Sequence, residues 1–175
     1  IDRVPNINDV YTDFSAGGLK ASTNALDVAI VREDAFLLVQ TPAGETRLTK
    51  NGALTLDPDG YIVTKEGFKV LNVGYEALPD NARGIQVPNN VQIAITPNGD
   101  IYGDEVQLDR LYIAQPRDLR RLKQEGDNLY IPAYPEYITD TENSGALRQG
   151  FVLMSNVNPV TQMVNLIETQ RLVES

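Results

Sequence analysis

The chain of 175 residues contains no cysteine, no histidine and no tryptophan. Without cysteine there is no disulfide framework and no thiolate metal site; without histidine the commonest general base and the commonest transition-metal ligand are both missing. Those two gaps exclude most familiar catalytic mechanisms. No apolar run approaches the ~20 residues that a membrane-spanning helix needs. The opening stretch IDRVPNIND has no basic region followed by an apolar one, so no cleavable leader is expected. Fifteen Lys and Arg stand against 24 Asp and Glu, a formal charge of −9. Nucleic-acid affinity rests on neutralising phosphates, so nucleic acid is not an expected partner. The glycines are scattered and no Gly-Lys-Ser/Thr cradle occurs, so neither a nucleotide nor another small-molecule substrate or cofactor is expected.

What is present is an ordinary globular composition, 42% hydrophobic with eight Tyr and four Phe. A chain of this length can bury roughly 70% of its unfolded surface and needs no staples. It opens on Ile1 and stops at Ser175 within a helical pattern, so trimming of a longer protein at both ends is expected.

The stretch LTLDPDGYIVT, from Leu54, is echoed by IAITPNGDIYG, from Ile93. Proline presets the first corner of a type I turn, Asp or Asn suits the second, and glycine takes the left-handed position that follows. Asp57-Pro58-Asp59-Gly60 and Thr96-Pro97-Asn98-Gly99 therefore predict hairpin corners, each closed by a glycine bulge. Further punctuation at Gly52 and Gly67 separates ALTL, YIVT and FKVL into a β-meander. In the second copy Val91, Ile93 and Ile95 alternate with Gln92, Ala94 and Thr96, which predicts one buried face. Other expected strands are 26–30, 36–40, 85–87, 108–115, 128–131 and the run ALRQGFVLM, about ten in all. Two copies are too few for a propeller or solenoid.

From Asn158 the pattern changes. Asn158 suits a helix N-cap and Pro159 the first helical position. Val160, Met163, Val164 and Ile167 then share a face that Leu166, Gln170 and Val173 widen. At heptad spacing Val160, Met163, Ile167 and Gln170 form the seam, although two heptads do not define a coiled coil. A helix of this length is marginal alone in water, so the stripe must be covered, by the β-domain or by another helix. The only other segment with helical spacing, RDLRRLKQEG at 117–126, is short.

Candidate chemistry is thin. Asp57, Asp59 and Gly60 resemble the start of a calcium loop, but Phe68 stands where the bidentate Glu would be. A carboxylate pair could hydrolyse glycosides without His or Cys, yet nothing selects a pair among the acids, for example Asp100, Asp104 and Glu105 beside Tyr102. Arg117, Arg120 and Arg121 read as a solvated surface rather than an anion site.

The segments NALDVAI, VQTPAGETRLTKNGALTLDPDGYIVTKEGFKVL and LRQGFVLMSNVNPVTQMVNLIETQRLVES resemble the bacterial flagellar rod and hook proteins of the basal body. The resemblance implies a structural subunit and not an enzyme. Such a subunit polymerises with copies of itself and other rod and hook subunits into a torque-transmitting shaft. It is periplasmic and exported through the flagellar type III apparatus. It also implies that Asn156, Val157 and Asn158 open the terminal helix, that Met163, Ile167 and Arg171 carry its packing side, and that a partner helix lies upstream of Ile1. VQTPAGE, DRLYIAQPRDL and the lack of an Asn-Pro-x-Gly-Leu segment are closer to the proximal than to the distal rod type. The chain departs from the family at VREDA, where a charged Arg32-Glu33-Asp34 loop, one residue longer, stands in place of glycines at an edge, a change that would alter a lateral contact or the orientation of the β-domain.

The expected fold is mainly β, a hairpin-rich meandering domain with barrel-like or sandwich closure plus a C-terminal α-helix. The expected division is an extended segment 1–22, a β-domain 23–144, and a final strand and amphipathic helix 145–175. Two rivals remain. A secreted carbohydrate-active or carbohydrate-binding β-module requires a cleft with two carboxylates, one of raised pKa. A freestanding adhesin-like module requires an exposed aromatic patch and a fully buried terminal helix.

Overall fold

The computed structural model describes residues 18–126, 129–132, 138–140 and 143–153. The helix expected from Asn158 lies outside them. Sixteen short strands are described: β1 (Leu19–Ala21), β2 (Val28–Ile30), β3 (Phe36–Gln40), β4 (Thr46–Thr49), β5 (Thr55–Leu56), β6 (Ile62–Val63), β7 (Lys69–Val70), β8 (Ile93–Ile95), β9 (Asp100–Gly103), β10 (Val106–Arg110), β11 (Ile113–Pro116), β12 (Leu122–Glu125), β13 (Leu129–Pro132), β14 (Ile138–Asp140), β15 (Leu147–Gln149) and β16 (Phe151–Leu153). The mainly-β, hairpin-rich expectation holds.

One local rule builds several of the hairpins. At Thr41–Gly44, Asp57–Gly60, Thr64–Gly67 and Thr96–Gly99 the glycine N–H bonds the carbonyl three residues back. In each the first residue's N–H bonds the carbonyl of the residue after the glycine, at 2.8–2.9 Å. All four glycines sit at φ between 87° and 97°, where any side chain would be strained. The first-residue side chain adds a bond of its own: Asp57 Oδ1 accepts from the Asp59 and Tyr61 N–H groups at 2.9 Å, and Thr96 Oγ1 from the Asp100 N–H at 3.0 Å. Gly52 differs. Its φ is ordinary, but an added Cβ would lie 1.7 Å from the Val28 carbonyl oxygen, so it is a point of close approach between two chain segments.

The strands fall into sheets of two (β1-β16), three (β10-β9-β8), nine and two (β15-β2) strands. The nine-stranded sheet runs β12-β13-β4-β3-β7-β6-β5, with β11 and β14 branching from β3. Among the described residues it ends on β12 and β5 and does not close into a barrel, one of the two closures, barrel-like or sandwich, expected from sequence. The meander β5-β6-β7 is antiparallel throughout.

β3 explains where the core lies. Its residues alternate between two hydrophobic clusters, Leu37 and Val39 in one, Phe36 and Leu38 in the other. A strand buried on both faces reads as a continuous apolar run, as FLLV does. The first cluster also collects Val28, Ile30, Ile62, Val70, Ile101, Ile113 and Leu147; the second collects Leu48, Leu71, Tyr112 and Tyr130.

Several strands differ from expectation. The segment 85–87 is an isolated bridge of Gln86 to Tyr61 and not a strand. The run 108–115 breaks into β10 and β11 because Leu111 N–H bonds Gly99 O while Tyr112 N–H bonds Leu71 O, so the chain changes partner there. Residues 117–126 form one 3-10 turn, Leu119–Arg121, capped by Asp118, and then strand β12. Two apolar residues, Leu119 and Leu122, suffice to seat that turn on the second cluster but not to make a helical stripe. ALRQGFVLM is two strands, divided by Gly150 at φ 80°.

Candidate assembly joint

β1 and β16 pair antiparallel in the register Leu19 to Leu153, Lys20 to Val152 and Ala21 to Phe151. β1 begins at Leu19 and β16 ends at Leu153, so the first and last described strands have their outer ends at neighbouring positions on one ribbon. Isolated two-stranded ribbons are marginal in water, and the direction of this one depends on how its root is held.

The root is held by residues that the sequence reading passed over. Gly150 N–H bonds Asp27 O and Ser22 N–H bonds Gly150 O, each at 2.8 Å. Ser22 Oγ donates to Asp27 Oδ2 at 2.5 Å. β15 pairs with β2, Leu147 opposite Ile30 and Gln149 opposite Val28. On its other side the same stretch is zipped to the second hairpin. Gly145 N–H bonds Asn98 Oδ1 at 2.8 Å and Leu147 N–H bonds Pro97 O at 3.1 Å. Gln149 completes the series: its Oε1 accepts from Ile95 N–H at 3.0 Å, and its Nε2 donates to Ile93 O at 2.9 Å and Ala25 O at 2.8 Å.

The two echoed corners thus do parallel work. Asp59 O and Gly60 O accept from Gln86 Nε2 at 2.8 Å and Val87 N–H at 2.9 Å. Pro97 O and Gly99 O accept from Leu147 and Leu111 N–H. Each corner presents turn carbonyls to a chain segment returning from elsewhere. Among the residues singled out from sequence, Asp57, Pro58, Gly60 and Gly67 lie on the meander, Gly52 against β2, and Pro97 and Gly99 at the zipper. The interaction residues Asn156, Asn158, Val160, Met163, Val164, Ile167, Gln170 and Arg171 lie outside the described residues.

The charged loop expected at an edge is turned inward. Arg32 and Asp34 form a two-point ion pair at 2.9 and 3.0 Å, and Arg32 also donates to Ser144 O at 3.1 Å. Asp34 accepts from Gln115 Nε2. Lys50 is buried, donates to the carbonyls of Arg32 and Ala35, and lies 4.5 Å from the centre of the Phe36 ring. Glu33 is completely buried, and neither carboxylate oxygen has a hydrogen-bond partner. Burial pushes its pKa up to about 8, against the pull of Lys50. Burial likewise lowers Lys50 to about 7, opposed by Asp34 and Glu33.

Glu33 beside Asp34 meets half of what the carbohydrate reading requires, a raised carboxyl next to a second acid. It fails the other half, because a side chain with no exposed surface cannot meet a sugar. Among the described residues no group of acids is arranged to hold a metal ion. No described helix is long and apolar enough to cross a membrane.

Comparison with known proteins points in one direction. Residues 30–103 match the family described as flagellar hook protein FlgE/F/G D1 domain, and residues 148–174 match the flagellar basal body rod FlgEFG protein C-terminal family. The flagellar basal-body rod protein FlgF of Caulobacter vibrioides is 30% identical over 95% of this chain and 64% of its own length. FlgG of Buchnera aphidicola subsp. Acyrthosiphon pisum is 31% identical over 90% of this chain and 61% of its own. FlgF of Mesorhizobium japonicum is 31% identical over 94% and 65%. The chain spans a little under two thirds of the length of these relatives.

Proposed function

Because the chain belongs to the flagellar basal-body rod and hook protein family, we propose that it is a structural subunit of the rod, not an enzyme. In this reading it acts in the periplasm after export by the flagellar apparatus. It polymerises with copies of itself and with neighbouring rod and hook subunits. Relatives named FlgF and FlgG match about equally well, so the proposal is for a rod subunit and not for the proximal type in particular.

The observation that carries the reading is the β1–β16 ribbon. Its Leu19–Leu153 pairing makes the outer ends of β1 and β16 neighbours, which supports a reading in which helices before and after the β-domain pack on one another. The stripe of Val160, Met163, Val164, Ile167 and Gln170 supplies one apolar face for that packing, with Asn156 and Asn158 opening the helix and Arg171 at its far end. Copies repeated along a shaft would bury stripes that one subunit leaves incomplete, while the β-domains set spacing.

The test is self-association of the longest natural form of the chain, followed by light scattering over a wide concentration range. Polymer growth is expected, and Ile167→Asp is expected to abolish it with the β-sheet circular dichroism unchanged, since a charge on a packed seam is costly. Monomeric behaviour of the longest form at all concentrations, or assembly that ignores Ile167→Asp, would remove the proposal.

A further inference from the structure

The ribbon and the three-stranded sheet β8-β9-β10 belong to different sheets, and β15 has no backbone ladder to β8. Yet β8 turns Ile95 N–H and Ile93 O toward β15, and both are satisfied by one side chain, the carboxamide of Gln149. A carboxamide is a peptide group on a short stem, with one acceptor and two donor hydrogens. Here both donors and one of the oxygen's two lone pairs are used, the second donor going to Ala25 O. The surroundings, two carbonyls and one N–H, admit a single orientation of the amide.

Position makes this bond set consequential. Gln149 is the last residue of β15, and Gly150, with φ 80°, then turns the chain into β16. The backbone bonds at that root run to residues 22–27. Gln149 carries the connection across to β8 instead. Three residues per strand are too few to hold a ribbon's direction by themselves.

We propose that Gln149 is a positioning residue that fixes the angle at which the β1–β16 ribbon leaves the β-domain. The proposal deepens the rod-subunit reading, because a torque-bearing subunit must not swivel between its shaft-forming and β-rich parts. Alanine removes all three bonds. Glutamate keeps the acceptor for Ile95 N–H, but its ionised form sets a carboxylate against Ile93 O and Ala25 O, and its protonated form can donate to one of them again.

The chain has no native cysteine, so spin labels can be placed cleanly at Lys20→Cys on the ribbon and Lys65→Cys on the meander, both exposed positions. The label-to-label distance distribution is measured by pulsed dipolar spectroscopy in otherwise unchanged chain, in Gln149→Ala and in Gln149→Glu, with near-ultraviolet circular dichroism to monitor the fold. At pH 7 both variants are expected to keep the fold and to broaden the distribution about twofold, as loss of a multiply bonded amide frees the root. The Glu variant should narrow again as the pH falls below about 4, where its carboxyl is protonated. Distributions as narrow as the unchanged chain's in both folded variants would overturn the proposal. So would global unfolding of both, which would make Gln149 a core residue and not a joint. A narrow distribution leaves the assembly reading standing, whereas a broadened one in a chain whose longest form never assembles removes that reading alone.

Discussion

Glu33 and Lys50 are the residues at which burial and charge conflict most openly. Glu33 binds a proton in the fold that it has released in the unfolded chain between pH 4.5 and about 8, so its contribution to stability falls as pH rises through that window. Lys50 has the opposite sign: depressed from 10.5 to about 7, it makes stability rise as pH climbs from about 7 to 10.5. With Arg32 and Asp34 as the charged neighbours, the pair should produce a shallow minimum of stability near pH 7 to 8. Urea midpoints at pH 5, 7.5 and 9.5 will show it, and Glu33→Gln should remove the decline between the first two; a variant that keeps that decline would show that Glu33 is not its source. Glycine positions give a second contrast. Gly52→Ala would force a methyl into the Val28 carbonyl and should cost about 3 kcal/mol or more. Gly67→Ala enters open space and meets only the left-handed backbone, about 1–2 kcal/mol. Equal losses in urea unfolding would contradict the close-approach role of Gly52. Sequence alone marked both glycines as punctuation, since the clash at Gly52 depends on a strand more than twenty residues away.

At the scale of elements, the turns follow their sequence closely and the strand ends do not. The corners at Gly60 and Gly99 are local chemistry, complete within five residues. The β9–β10 hairpin is the exception to good turn composition. Asp104 and Glu105 occupy its two corner positions at φ 50° and 71° without a glycine. Asp104 is justified by contacts, since its Oδ1 accepts from Gln92 N–H at 2.9 Å and its own N–H bonds Gln92 O at 3.0 Å. Glu105 is exposed and has no such tie. Glu105→Gly is therefore expected to stabilise the protein by about 0.5–1 kcal/mol, the left-handed penalty less the entropy cost of glycine. A lower urea midpoint for this variant would refute the strain at Glu105. The breaks at Leu111 and Gly150 were not legible, because each marks a change of partner strand, and partners are not encoded in periodicity.

For the whole molecule, β3 is the element that makes two cores into one cooperative unit. Leu37 and Leu38 are adjacent in sequence and face different clusters. Leu37→Ala and Leu38→Ala should each cost about 2–5 kcal/mol. Both should lower a single transition rather than split it, with far-ultraviolet dichroism and Tyr fluorescence, which includes Tyr112 and Tyr130 of the second cluster, giving the same midpoint. Separate midpoints would mean that the clusters unfold independently. Shaft formation belongs to this scale as well. In the proposed rod the β-domain is a rigid body, and what matters to neighbouring copies is where its ribbon points.

The sequence by itself determined the β character, the glycine corners, the strand at 36–40 and the kinship with rod and hook proteins. Each of these is local, or a matter of order along the chain. Tertiary structure alone decided that the Arg32-Glu33-Asp34 loop folds inward around Lys50, that the second corner serves as a track for β15, and that Gln149 clasps β8. Those outcomes join residues from 15 to 124 positions apart, and a bond between such residues exists only once the intervening chain has folded.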